Sequence, residues 1–290
     1  MPEHEHLRLH ATGDVEEYAG AVTPFLEREP VQRNVLLTVM AQARGGGAGW
    51  TRTPLFWWVV SGGEVAGVAS WTPPFPVLVS SLPPGAATPI AESVLERAAA
   101  TDTRVAGVTG PRDSAWALAR VLAGRTHAGV ATRVRMIVHE LRKVRDVPDP
   151  GGAMRIAAPA DSDLVHHWMR AFNADIGEAH YPEGNVRSAL ERRRIWLWVH
   201  AGAPRSTATL IAPAGGVARI GGVYTPPRHR AHGYARRLVQ QLSVAALAEP
   251  GVVACTLNTD AANPVSNSIY GQVGYVPVGE HVQLAVGHDE

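Results

Sequence analysis

The stretch Arg219–Leu238 reads R-I-G-G-V-Y-T-P-P-R-H-R-A-H-G-Y-A-R-R-L: a strand, a turn with two prolines, and a helix. Ala235, Leu238, Val239, Leu242 and Ala246 fall at helical spacing and give that helix one apolar face. Arg228, His229, Arg230, His232, Arg236 and Arg237 crowd around its start. A helix N-terminus favours anions, so clustered cations there repel both one another and the helix end. An anion seated in the turn removes the conflict. Free backbone N–H groups at a helix start already form such a site, and Gly233 lets a phosphate approach the chain closely. A phosphate-binding turn is therefore predicted. It is not a Walker A loop, since the Gly-Lys-Ser/Thr ending is missing, and only Gly233 is present from the dinucleotide fingerprint.

A second stretch lies downstream. Leu257–Tyr275 reads L-N-T-D-A-A-N-P-V-S-N-S-I-Y-G-Q-V-G-Y. Asn263 suits an N-cap, Pro264 the first helical position, and Gly274 the helix end. Val265, Ile269 and Val273 would share a core face. Asn263, Asn267 and Tyr270 would form a polar stripe on another. Around these stretches the pattern predicts strands at 154–157, 195–200, 207–212, 217–225, 252–258 and near 281–286. It predicts helices from Asp161 or Ser162 to about Ala174, at 185–194, at 234–247 and from Pro264, with a polar loop at 175–184.

Upstream, Lys143–Ala153 reads K-V-R-D-V-P-D-P-G-G-A, a linker that can sustain neither helix nor strand. Before it, a strand at 77–81, a helix at 90–100, a strand at 104–109, a helix from about Ser114 and a strand at 133–141 repeat the order seen after it. A structural duplication is expected. The turn of this first half, Leu82-Pro83-Pro84-Gly85-Ala86-Ala87, has no Arg, and Asp113 or Ser114 is expected to cap its last helix.

The spacing Arg230-x-x-Gly233-x-Ala235 after a strand resembles the coenzyme A pyrophosphate loop of the Gcn5-related N-acetyltransferases (GNAT), whose signature is R/Q-x-x-G-x-G/A. Asn263 and Tyr270 match a second motif of that family, in which an Asn contacts coenzyme A and a Tyr approaches the cofactor sulfur. Both motifs occur in the family's order. The resemblance implies an α/β fold of two acetyltransferase-like domains, each a mixed β-sheet flanked by helices. Residues 1–143 would be a degenerate acetyltransferase-like domain, 144–152 a linker, and 153–290 the catalytic domain. It also implies acetyl-CoA as cosubstrate and direct attack by a primary amine on the thioester. The pantetheine arm would lie between splayed strands against Val223, Tyr224 and Thr225. The pyrophosphate would take N–H groups from Arg230, Ala231, His232, Gly233, Tyr234 and Ala235. Asn263 and Asn267 would touch the cofactor, the Val223 N–H would face the carbonyl oxygen, and Tyr270 would protonate the leaving thiolate.

Two departures from the family stand out. Ala231 occupies a position where many members have Gly, so it is expected to keep a negative φ. The strand at 217–225 has no carboxylate, so the base for the amine is expected elsewhere, with Glu178 of the 175–183 loop the candidate.

Composition narrows the partners. The 290 residues carry a formal net charge of +1, with 46% hydrophobic and 18% charged residues. Lys143 is the only lysine. Nothing here calls for nucleic acid or an anionic membrane. A small-molecule amine is the first expectation for the acceptor, and a protein lysine or N-terminal amine the second. A non-catalytic acyl-CoA-binding or regulatory module is the alternative to an enzyme. The first residues lack the features of a signal peptide and no apolar run is long enough to span a membrane, so a cytoplasmic protein is expected. Cys255 reads as core; Trp196 and Trp198 share a strand face that reads as core first and as a wall of the acceptor site second. His4, His6 and His10 lack a fourth ligand, and His166 and His167 point in different directions, so no metal is expected. The first half is expected to shape the acceptor cleft or to form a homodimer contact.

Overall fold

The computed structural model describes residues 7–46, 52–177 and 183–287. The first half contains β1 (Arg8–Thr12), α1 (Val15–Leu26), α2 (Asn34–Arg44), β2 (Leu55–Ser61), β3 (Glu64–Trp71), β4 (Val77–Val79), α3 (Ala87–Ala100), β5 (Gly107–Pro111), α4 (Arg112–Thr126) and β6 (Gly129–Leu141). The second contains β7 (Ala153–Ile156), α5 (Ser162–Asp175), α6 (Glu183–Glu191), β8 (Ile195–His200), β9 (Ala203–Ala214), β10 (Val217–Tyr224), α7 (Tyr234–Leu247), β11 (Ala254–Asp260), α8 (Pro264–Val273) and β12 (Val276–Gly287). The same order of elements thus occurs twice.

All the strands join one mixed sheet, in the order β1-β2-β3-β4-β5-β12-β6-β11-β10-β9-β8-β7. Only β4/β5 and β10/β11 run parallel; the other neighbours are antiparallel. Each half hands its last strand to the other. β12 lies between β5 and β6, and β6 lies against β11. The exchange is symmetric about the β12–β6 pair, where His281 sits opposite Met136. The linker is no free tether either. Val147 is buried in the second half's core, the Arg145 N–H donates to the Val273 carbonyl at 2.8 Å, and Trp198 Nε1 donates to the Gly151 carbonyl at 3.0 Å.

Alternation along the strands assigns each side chain to one of two layers. One face carries α3 and α4 over the first half and α7 and α8 over the second. The other carries α1 and α2 over the first half and α5 and α6 over the second. Between these last two, Val31 of the α1–α2 connection reaches the second half and packs with Val138, Val217 and Ala254.

Several boundaries differ from the sequence expectations, for local reasons. The helix expected to reach Arg194 ends at Glu191, because Arg193 turns left-handed at φ 56°. The last strand begins at Val276 rather than near His281, since β6 and not an intrinsic apolar run recruits Val276 and Pro277. Neither Asp113 nor Ser114 caps α4. Pro111 occupies the cap position, and Ser114 Oγ instead accepts the Leu82 N–H at 2.9 Å.

Candidate active site in the second half

The site begins where two strands part. β10 and β11 pair only through Val217–Ala254, Ala218–Cys255 and Arg219–Thr256. Beyond that, Ile220–Tyr224 and Leu257–Asp260 continue as strands without pairing to each other. On its other side β10 stays laddered to β9, with one register shift between Val217 and Arg219 and a bulge between Gly221 and Tyr224 that holds Gly222 and Val223. The bulge reverses the alternation, so that Val223 packs toward α7 and α8 while Tyr224 turns to the α5 layer. Ser206 Oγ donates to the Tyr224 carbonyl at 3.0 Å and accepts from Thr225 Oγ1 at 2.9 Å, which fixes the strand end. A wedge bordered by unpaired backbone can accept an extended chain as an extra strand. The matching strands of the first half approach each other more tightly. β4 stops soon after its pairing with β5, and a Cβ on Gly110 would run into the Val79 carbonyl.

The wedge leads into the turn before α7. None of the N–H groups from Ala231 to Arg236 has an acceptor among the described residues. Arg230 is excluded from this set, because its N–H donates to the Pro227 carbonyl at 3.2 Å. Gly233, at φ 81°, turns the chain into the helix with no side chain in the way. Ala231 takes φ 65°, not the negative value expected, so the loop keeps a glycine-like path at a residue with a methyl group. Free N–H groups at the positive end of a helix form an anion cradle.

The cations around it are mostly tied down by side-chain contacts. Arg230 donates to Asp175 Oδ2 at 2.7 Å and to the Thr225 carbonyl at 2.9 Å, which links the turn to the end of α5. Arg228 and Arg205 both converge on His229 Nε2, at 3.1 and 3.2 Å. Partial burial and then the nearby arginines lower the His229 pKa, which favours the neutral imidazole. Arg236 reaches Gln272 at 2.5 Å and Arg237 reaches Gln240 at 3.0 Å. His232 stacks on Tyr234 with ring centroids 5.4 Å apart, and the Tyr234 ring is itself buried in the core.

Helix α8 closes the other side of the wedge. Asn263 caps it as expected, accepting the Ser266 N–H at 3.0 Å. Asn267 is occupied structurally: it accepts from Thr259 Oγ1 at 2.5 Å and donates to the Asp260 carbonyl at 3.3 Å. The expected stripes are partly inverted. Val265 is 67% exposed, whereas Tyr270 is buried beside Val273, edge-on to Tyr275 at 6.1 Å. The Tyr275 hydroxyl is satisfied by Ser243 Oγ at 2.9 Å. The Tyr270 hydroxyl has no partner among the described residues, yet it is not sealed from solvent. Burial raises its pKa, so it is a phenol throughout the neutral range. Cys255 is fully buried, and burial pushes its thiol up to about 12, which makes it inert core.

Glu178 lies outside the described residues. Sequence inspection also overlooked two residues. Asp175 was assigned to a plain loop, although it anchors Arg230. Arg219 was counted as part of an ordinary strand, although a lone cation among V-A-R-I is itself a signal. On the α1/α2 face, a cavity of about 180 Å³ runs from β4 and β5 across β12 and β6 to Asn258 on β11. Its walls include Gln32, Arg33, Met136 and His281, so both halves contribute.

The family model described as "Acetyltransferase (GNAT) family" matches residues 162–275, which include the wedge, the turn and α8. Within its second half the chain is thus similar to the GNAT family. Three solved structures are similar over nearly the whole chain. A Drosophila protein is 13% identical with a TM-score of 0.67, covering 97% of this chain and 98% of that one. A GCN5-related N-acetyltransferase from Sphaerobacter thermophilus is 17% identical with a TM-score of 0.60, covering 98% of each. A tandem GNAT protein from the clavulanic acid biosynthesis pathway is 15% identical with a TM-score of 0.54, covering 97% and 98%. At these identities the likeness is one of fold. Among curated proteins none matches the chain.

Proposed function

We propose that this protein is an acetyl-CoA-dependent N-acetyltransferase acting on a primary amine of a small molecule. The observation that carries the reading is the parted β10–β11 pair leading into a turn of free N–H groups. The wedge suits the pantetheine arm along Val223, Tyr224 and Thr225, and the Ala231–Arg236 N–H groups suit a pyrophosphate. Bound there, acetyl-CoA supplies an activated acyl group. The chain's own residues then have distinct tasks. The bulge at Gly222–Val223 releases backbone from the β9 ladder, and the Val223 N–H can stabilise charge developing on the carbonyl oxygen. Tyr270, neutral and without a partner among the described residues, can give its proton to the departing sulfur. Asn263 holds α8, and with it Tyr270, in register.

In this reading residues 153–290 form the catalytic unit, 144–152 a docked strap, and 1–143 a degenerate acetyltransferase-like unit. The tight approach of Gly110 to Val79 and the proline-rich turn at 82–86 support a first half without cofactor chemistry. Its α1–α2 connection supports a role in shaping the acceptor side. Incubation with acetyl-CoA and a panel of amines, with free thiol read against acetylated product, tests the proposal. One thiol per acetylated amine is expected. Coenzyme A binding without thiol release for any amine would favour a non-catalytic binding module, a reading that the carboxylate-free β10 supports.

A further inference from the structure

Arg219 is the last residue of β10 to pair with β11, so it stands at the base of the wedge. Its neighbours fix its direction. Ala218 and Ile220 point into the core beneath α7 and α8, whereas Val217 points to Val31 and Val138 on the opposite face. By alternation Arg219 projects onto that second face, between the α1–α2 connection and α5. Both flanks are built. Asn34 of α2 donates to the Val217 carbonyl at 3.2 Å, and Met169 of α5 stands against Gly222.

What sets Arg219 apart from its neighbours is the lack of a counter-group among the described residues. The residue is half-buried, and its Nε, like those of Arg236 and Arg237, is sealed from solvent with no acceptor among the described residues. No hydrogen bond or ion pair to its guanidinium exists among the described residues, while Arg230, Arg236 and Arg237 on the neighbouring turn each have one. Burial lowers its pKa to about 10, which still leaves it charged at neutral pH. An enclosed charge without a partner is unfavourable, and folded proteins normally pair it. The terminal nitrogens of Arg219, unlike Nε, are not sealed. They form a planar fork open to a ligand on the side opposite the α7/α8 layer.

We infer that Arg219 binds a carboxylate on the acceptor, so that the substrate is an amine that also bears an acid group. This rests on the acetyltransferase reading and deepens it. The free fork matches a carboxylate in two-point geometry. Val223 lies four residues further along β10, ~13 Å at ~3.3 Å per residue and less with the bulge, and the long arginine side chain can span part of that distance. An amino-acid-sized molecule fits the remainder.

The test uses the full-length protein saturated with coenzyme A. Calorimetric titration compares ω-amino acids and α-amino acids with their primary amides. At least one acid should bind ~10–100-fold more tightly than its amide, the range of a charge-assisted hydrogen-bonded pair. Arg219→Gln should erase that preference and leave coenzyme A affinity unchanged, with a melting temperature equal to wild type or higher. Should the glutamine variant fail to fold, Arg219→Lys keeps the charge without the fork and should lose most of the preference. The inference is overturned if no acid is preferred over its amide, or if the preference survives in the variant that folds. Failure of the acetyltransferase reading shows separately, as preferred acid binding with no thiol release once acetyl-CoA replaces coenzyme A.

Discussion

Tyr270→Phe separates a catalytic hydroxyl from a packing ring. The substitution removes one oxygen that bonds to nothing among the described residues, so no buried donor or acceptor is orphaned. The ring keeps its place in the core against Tyr275. Stability should therefore change by less than ~0.5 kcal/mol, as for substitutions that break no buried contact. Loss of a general acid lowers turnover by ~10²–10⁴-fold, or about 3–5 kcal/mol of barrier. The loss should appear in kcat and kcat/KM alike, because the proton moves only in the transition state. Tyr275→Phe is the control. It deletes a buried bond to Ser243 at 2.9 Å, which should lower stability by ~1 kcal/mol and Tm by ~2–4 °C, with kcat nearly intact. Both variants are measured by continuous thiol release and by thermal melting, with single-turnover rates to establish that chemistry limits. If Tyr270→Phe keeps wild-type kcat when chemistry limits, Tyr270 is a packing residue and the sulfur is protonated by water or by the incoming ammonium.

Other outcomes follow from the same geometry. Ala231→Gly should raise stability by up to ~1 kcal/mol in a melting assay, since it relieves φ 65°, and should leave coenzyme A affinity unchanged or tighter. Arg230→Ala and Asp175→Asn should each cost under ~1 kcal/mol, the pair being exposed, but both should weaken coenzyme A binding in calorimetry by loosening the turn. Burial lowers the His281 pKa to about 4, well below the usual imidazole range. The unfolded chain therefore binds a proton first as pH falls. The stability from the neutral imidazole is full above pH ~6.5 and should decline toward pH ~4, on the order of 2–3 kcal/mol; urea melts of His281→Gln should show a flatter slope in that window. A chain of residues 153–290 lacks β6, leaving β11 and β12 without their shared neighbour, and should fail to show a cooperative melt on its own.

The second half was largely legible in the sequence because its signals are local. Gly233 starts a helix, Asn263 with Pro264 caps another, and Gly274 ends it; each acts within a few residues. The first half was read only from Val77 onward. β2 is the unbroken run L-F-W-W-V-V-S, whose apolar length does not distinguish a buried strand from a buried helix. The strand exchange was invisible for a different reason. No pattern in Val276–Gly287 records that its partners are Gly107–Pro111 and Gly129–Glu140, which lie more than a hundred residues away. The fate of polar side chains was equally hidden. Helical spacing put Asn267 and Tyr270 on one stripe, but only tertiary packing decides that Asn267 ties α8 to β11 while the Tyr270 hydroxyl stays free. Arg219 has the same character: a lone arginine in a strand marks an unusual position, but only the fold shows that it has no counter-charge among the described residues.

The central claim is that acetyl-CoA enters the wedge of the second half and no matching place in the first. Amide hydrogen exchange on the full-length protein, with and without acetyl-CoA, tests it most directly. Protection should rise at 220–225 and 231–236 and around the start of α8. The 77–90 segment should exchange at the same rate in both samples. Protection gained at 77–90 with none at 231–236 would contradict the account.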